Sequence, residues 1–281
     1  MKITNTIKIL CCALFSIAAV FSGDLEISGY VDVSATMPME DDDTLFFSFD
    51  ALEIDIEKKI SEFVSLRADI DYYEYATEVE QAFVQFYNFT VGKFNAPIGY
   101  ELLDAPDMYQ YSHSLVFDNA LPTNLSGIMY GKDFGEKFNA TVYAMNGWDV
   151  NHAIEDKLLF GGRLGVNAFE GIGFGISAIQ MNSDDTVLDI DAEISKFNNL
   201  IIGAEYNTGG VEDGWLVMAN YSFDRFALTV RQDAYGDMSS FTISPSFAIT
   251  DGAGLLFEYR IDNDEFDEKT NSGAVEFTFS F

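Results

Sequence analysis

Cysteine, proline, histidine and positive charge are all scarce in this 281-residue chain, and each shortage excludes something. The only cysteines are Cys11 and Cys12, both close to the N-terminus, so the rest of the chain has neither disulfides nor thiolate metal sites available to it. Proline occurs five times, few enough to leave long stretches free for hydrogen-bonded ladders. With 15 lysines and arginines against 46 acids, the formal charge is −31, which repels nucleic acid and anionic surfaces and attracts cations. No apolar run beyond the N-terminal segment reaches the roughly 18 residues of a spanning helix, although 48% of residues are hydrophobic. The apolar side chains are plentiful and dispersed.

The N-terminus has the layout of a secretory signal: Lys2 and Lys8 precede an apolar run over 9–21 broken only by Ser16, and Val20 and Ser22 supply small cleavage-site residues. Residues 1–22 are expected to be a signal peptide and 23–281 a single domain. Ile9-Leu10 before Cys11 lacks the small residues of a lipidation site. Loss of the signal removes two positive charges and no negative one, deepening the formal charge to −33.

Alternation of apolar and polar residues recurs along the remaining chain. Leu25, Ile27, Gly29, Val31, Val33 and Ala35 alternate with Glu26, Ser28, Tyr30, Asp32 and Ser34; Leu188, Ile190, Ala192 and Ile194 alternate with Asp189, Asp191, Glu193 and Ser195. Period two is the strand period, and runs of 9–12 residues suit tilted strands that cross a bilayer. The connections come in two sizes. Short turns are expected near 60–61, 88, 135–136, 170–171, 198–199, 224–225 and 250–252, and longer polar links over 39–44, 95–124, 147–157, 182–185, 208–213, 236–239 and 263–270. The link at 76–77 is short and breaks that rule. Short turns at one end and long loops at the other predict an all-β, transmembrane antiparallel barrel of about sixteen strands (14–18), with periplasmic turns and extracellular loops. The chain stops on a strand whose Val275, Phe277, Phe279 and Phe281 share one face, predicting an outward aromatic stripe ending in an interfacial girdle.

The segment Thr90-Val91-Gly92-Lys93-Phe94-Asn95-Ala96-Pro97-Ile98-Gly99-Tyr100-Glu101 resembles the GKF-x-x-P-x-G-x-E element of OmpL-like porins, the β-barrel porin-2 group of the bacterial outer membrane. Similar elements occur in phosphate-selective porins, but Tyr111-Ser112-His113-Ser114-Leu115-Val116-Phe117 and Leu121-Pro122-Thr123-Asn124-Leu125-Ser126-Gly127 favour the first group. The resemblance implies an outer-membrane porin for passive diffusion, without an enzymatic site. The terminal strand separately resembles the C-terminal signature of proteins handled by the outer-membrane barrel-assembly machinery, which makes Phe277, Phe279 and Phe281 the candidate assembly signal.

The polar strand faces carry the candidate pore lining: Glu53, Asp55, Arg67, Asp69, Asp71, Arg163, Asp189, Asp191, Glu193, Arg231 and Arg260. Acids facing arginines across a constriction would create a transverse field; the alternative is salt-bridging along the wall. Net acidity predicts a preference for cations. The link 95–124 is apolar for a surface loop and is the candidate constriction, with a surface cap or subunit contact as the alternative.

His113, between Ser112 and Ser114, and His152 are the only histidines, and adjacency in a loop builds no nucleophile–base pair, so no catalytic residue is expected. The acidic runs 40–43 and 262–268 lack the glycine and spacing of a calcium loop and are expected to be solvated, with weak divalent bridging between loops as the alternative; no metal site and no cofactor are expected. The partners expected are outer-membrane lipid, small hydrophilic solutes and cations, with no nucleic acid; a homotrimer is suggested by analogy with sixteen-stranded porins alone. The rival functions are a non-conducting surface-binding or structural barrel and an outer-membrane enzyme; a secreted β-sandwich is the rival fold.

Overall fold

In the computed structural model, residues 25–39, 44–152, 157–266 and 268–281 are described. The signal segment and the acidic run 40–43 lie outside them. The alternating runs form sixteen strands: β1 Leu25–Pro38, β2 Phe46–Ser61, β3 Val64–Tyr72, β4 Thr77–Phe86, β5 Phe89–Asn95, β6 Asn124–Phe134, β7 Phe138–Trp148 and β8 Leu159–Phe169. They continue as β9 Ile172–Gln180, β10 Thr186–Phe197, β11 Leu200–Thr208, β12 Gly214–Phe223, β13 Phe226–Tyr235, β14 Met238–Thr250, β15 Ala253–Asn263 and β16 Lys269–Ser280. Each pairs antiparallel with its sequence neighbours, and β1 pairs β16, so the sheet closes. A closed sheet has no free edge, which is why strands can cross a membrane at all.

The closure reaches the last residue. Phe281 N–H donates to Gly29 O at 2.9 Å, and Gly29 N–H donates to Phe281 O at 3.2 Å. A Cβ at Gly29 would collide with the backbone oxygen of Glu53 and stand 3.0 Å from Phe281 Cζ, so this close approach requires glycine.

All seven expected short turns are found, several with a residue at positive φ: Asn199 (65°), Asp224 (53°), Gly171 (69°) and Gly252 (78°). Such a backbone suits the tight hairpin turns that match strand twist. The link expected over 236–239 needs correction. Strand β13 runs to Tyr235 and β14 starts at Met238, leaving a two-residue turn in which Gly236 takes φ 55°. Ser239 and Ser240 read as loop because they are polar, yet Ser240 is a fully buried strand residue facing inward.

Apolar side chains cover the outer face: Phe160, Leu164, Ile176, Leu188, Ile190 and Val217 are exposed along successive strands. At the short-turn end aromatic rings pack in pairs, Phe63 on Tyr87 at 4.8 Å, Phe86 on Phe89 at 5.4 Å and Phe226 on Phe247 at 4.8 Å. An apolar belt with an aromatic girdle is the surface a bilayer selects. Phe277 and Phe279 are exposed on it as expected, whereas Asp32, Glu53, Asp69, Asp189, Arg231 and Glu276 are buried on the opposite face.

Candidate functional site in the barrel interior

Pore-facing positions follow from phase: where a strand's apolar residues point out, every second residue points in. Of the expected lining, Glu53, Asp69, Asp71, Asp189, Asp191 and Arg231 are buried, and Asp55, Arg67, Arg163, Glu193 and Arg260 are half-buried. They fall into patches. Glu53, Asp55, Arg67, Asp69 and Asp71 lie together on β2 and β3; Arg163 lies with Asp189 and Asp191 on β8 and β10; Arg231 and Arg260 lie on β13 and β15. Glu193 stands apart, in a recess with Tyr100, Tyr109 and Met218.

The arginines pair along the wall. Arg67 bonds Asp69 at 2.8 Å and Asp55 at 3.2 Å; Arg163 bonds Asp191 at 2.6 Å; Arg260 bonds Asp262 at 2.7 Å. Of the two arrangements open in the sequence, a field across the lumen and salt bridges within the wall, these contacts form the second. Gly175 makes room for one of them, since a Cβ there would fall inside contact distance of the Arg163 guanidinium and the Asp191 carboxylate.

The fourth arginine joins the wall to the long link. Arg231, 1% exposed, bonds Asp233 at 2.9 Å on its own strand and Glu101 at 2.8 Å in the link. Its guanidinium also donates to the carbonyls of Ser112 (2.7 Å) and His113 (2.8 Å), and Arg260 adds a second donor to His113 O at 2.8 Å. The link starts and ends at β5 and β6, yet its contacts reach strands far around the barrel. Tyr100 N–H donates to Glu205 at 2.8 Å, Leu115 N–H to Asp233 at 2.9 Å and Ser112 N–H to Glu258 at 3.2 Å, while Tyr111 bonds Ser34 of β1 at 3.2 Å. A segment bonded to the inward faces of β1, β11, β13 and β15 runs inside the barrel.

Its apolar residues have a seat there. Ile98 and Leu121 pack on an interior cluster of Phe94, Leu125, Tyr143, Met145, Leu159, Ile179 and Val187. A short helix, α1 Leu115–Ala120, is capped by the Ser114 hydroxyl, which accepts from Phe117 N–H at 3.2 Å, and it sets Val116 and Ala120 against Tyr235. Burying each large aliphatic side chain contributes about 1.5–3 kcal/mol. Two inward glycines admit the link: a Cβ at Gly203 would collide with the Tyr100 ring, and one at Gly214 would stand 3.0 Å from Val116. His113 stacks on Phe117 at 3.9 Å and bonds Leu102 O at 3.0 Å, a packed residue rather than a base beside a serine nucleophile.

Asp104, beside a single 3-10 turn over Ala105–Asp107, faces an open recess shared with Glu53, Asp71 and Glu80. Burial, then Asp107 and Asp55, push its carboxyl up to about 6, against a smaller opposite pull from Arg67. Lining acids that the sequence reading left out include Asp50, Glu80, Glu205, Glu258 and Glu276. Glu205, Glu258 and Glu276 stand at inward phases of alternating strands, so the signal for them was present.

The family profile of OmpL-like beta-barrel porin-2 proteins matches residues 59–208, more than half of the chain. This chain is a member of that family. Comparison with curated protein sequences gives no match. Among solved structures it resembles the outer membrane channel DcaP of Acinetobacter baumannii, with TM-score 0.71 at 12% identity over 92% of this chain and 97% of that one. Salmonella typhi OmpF, solved with daunomycin, gives 0.70 at 14% identity over 92% and 98%. The trimer form of Vibrio cholerae OmpT gives 0.66 at 12% identity over 92% and 99%. At such identities the likeness establishes the fold, that of outer-membrane porins, and the family places this porin in the bacterial outer membrane.

Proposed function

We propose that this porin passes small hydrophilic solutes by passive diffusion with a preference for cations, and that the link 95–124 sets the narrowest part of its path. The observation that carries the reading is the charge of the interior. Among the described residues, the buried charged side chains comprise eleven carboxylates (among them Asp32, Asp71, Glu80, Asp189, Glu205 and Glu276) and one arginine, Arg231. A passage lined by fixed negative charge concentrates counter-cations. Asp55, Glu193 and the half-buried arginines Arg67, Arg163 and Arg260 complete the proposed lining. The trimer form of OmpT, a fold neighbour, favours the same assembly here, tested by the mass of the detergent-folded protein. The mature chain is proposed to begin at Gly23, tested by N-terminal sequencing.

The deciding experiment is a salt gradient across a planar bilayer. The reversal potential should have the cation-selective sign and shrink as salt rises, because the screening length falls from about 10 Å at 0.1 M to about 3 Å at 1 M. Changing Asp189 and Asp191 to Asn and Glu193 to Gln should move it toward zero, whereas neutralising Asp41, Asp42 and Asp43 should matter less. An anion-selective sign would overturn the preference, and absence of conductance would leave a non-conducting barrel.

A further inference from the structure

One patch of the interior carries acids without a matching base. Glu53 on β2 stands directly opposite Asp71 on β3. Like charges at facing positions repel. Glu80 arrives from β4 by an irregularity: Asp69 pairs with Gln81 and Ile70 with Val79, so Glu80 is the extra residue of a bulge. Bulges re-aim side chains, and here Glu80 and Gln81 are buried in succession where a regular strand would bury alternate residues. The register and the bulge therefore bring a third carboxylate onto a pair that already repels.

One oxygen from each of Glu53, Asp71 and Glu80 lies within 4.8 Å of the other two. The three residues are 2%, 4% and 6% exposed. Glu53 Oε2, Asp71 Oδ1 and Glu80 Oε1 are all buried with no hydrogen-bond partner. A buried carboxylate oxygen left unpaired is costly, and three on adjoining side chains compound that cost. The overlapping group Glu53, Asp55 and Asp69 differs, because Arg67 bonds two of its members and Gln81 donates to Asp69. None of the described salt bridges includes Glu53, Asp71 or Glu80.

We propose that Glu53, Asp71 and Glu80 bind a hard divalent cation of the calcium class on the barrel wall. All three donors are oxygens, which suits calcium-like ions over the metals that favour imidazole or thiolate. Calcium–oxygen distances of about 2.3–2.6 Å let ligand oxygens spread to roughly 5 Å, so oxygens within 4.8 Å of one another can share such an ion. The adjoining recess, lined also by Tyr30, Tyr73 and Asp104, leaves space for waters to complete the coordination. An ion there offsets the repulsion between facing strands and lowers the negative field at Asp104, one of the link's own acids. The site departs from the expectation that the chain holds no metal. It requires neither conductance nor ion selectivity, so a failed reversal-potential experiment would leave it standing.

Equilibrium dialysis of Ca²⁺ against the full-length barrel folded in detergent tests the site. The unmodified protein should bind one more equivalent near neutral pH than Glu80→Gln or Glu53→Gln, while a protein carrying Asp189→Asn and Asp191→Asn retains it. Heat-modifiable migration on gels verifies that each variant is folded. Tb³⁺ luminescence excited through tyrosine gives a second reading that needs no acid variant: it should saturate, be displaced by Ca²⁺, and fall severalfold in Tyr73→Phe, whose hydroxyl bonds Asp71 at 3.0 Å. Equal Ca²⁺ stoichiometry in the unmodified and Glu80→Gln proteins, or Tb³⁺ luminescence indifferent to Ca²⁺ and to Tyr73→Phe, would overturn the proposal.

Discussion

Replacing Arg231 by Met should unseat the long link while leaving the barrel closed. Arg231 is the most deeply buried base of the interior, and it holds Asp233 and Glu101 together with the carbonyls of Ser112 and His113. Removing one member of a buried ion pair costs about 3–5 kcal/mol, because the partner's charge stays behind. Both carboxylates here keep other donors: Asp233 accepts from Ser240 Oγ and Leu115 N–H, and Glu101 from Ser114 N–H. His113 O keeps Arg260. The lower end of the range therefore applies, about 3 kcal/mol, or roughly a hundredfold in the equilibrium between seated and released link. The sixteen-strand ladder does not depend on this residue's side chain, so heat-modifiable migration should persist. Single-channel recordings should show larger and noisier currents, and limited proteolysis should cut within 95–124. Adding Glu101→Gln and Asp233→Asn should recover most of the loss by removing the stranded charges. If Arg231→Met is as quiet and as protease-resistant as the unmodified protein, the guanidinium does not hold the link.

Two further expectations concern Asp104 of the link and the terminal residue. With its carboxyl raised to about 6, Asp104 is charged at pH 7 and gains a proton as pH falls toward 5. Folding favours its neutral form, so its contribution to stability is fullest below the ordinary carboxylate range and is lost as pH rises through about 6. Cation selectivity should accordingly decline between pH 7 and 5, with a component that Asp104→Asn abolishes; identical titrations of the two proteins would refute the assignment. Deleting Phe281 removes two closing backbone hydrogen bonds, worth about 0.5–1.5 kcal/mol each, whereas Phe281→Asp keeps them and places a charge at the lipid interface. Both should lower the heat-modifiable fraction recovered from outer membranes without reducing export, and normal recovery of both would show the residue to be incidental.

Most of the barrel was legible because period two and tight-turn chemistry act over a few residues. Asn199 and Asp224 mark their turns by tolerating positive φ, and Leu188 through Ile194 declare their faces without any partner. The failure at 236–239 has the same locality. Ser239 and Ser240 look like loop because polarity serves two purposes in such a chain, solvation of loops and lining of the interior, and Ser240 serves the second. Gly236 was the better signal, since a positive φ is needed for only a two-residue connection there.

The interior was legible only as far as strict alternation holds. Asp189 and Asp191 follow it and are buried on the inner face; Glu80 does not, since a bulge places it and Gln81 inward in succession, and no residue type announces a bulge. The apolar interior cluster breaks the other half of the rule. Met145, Ile179 and Val187 point inward although alternation assigns apolar residues to lipid, and they do so because Ile98 and Leu121 cover them. The link and its seat are thus complementary at a distance. A wall with inward apolar residues would be costly in an open channel, and an apolar link would be costly at the surface, but together they bury one another. Gly203 and Gly214 belong to the same fit, each lacking a side chain where Tyr100 and Val116 press against the wall. Such complementarity joins residues about a hundred positions apart, so it follows from the closed barrel and from no local pattern in the chain.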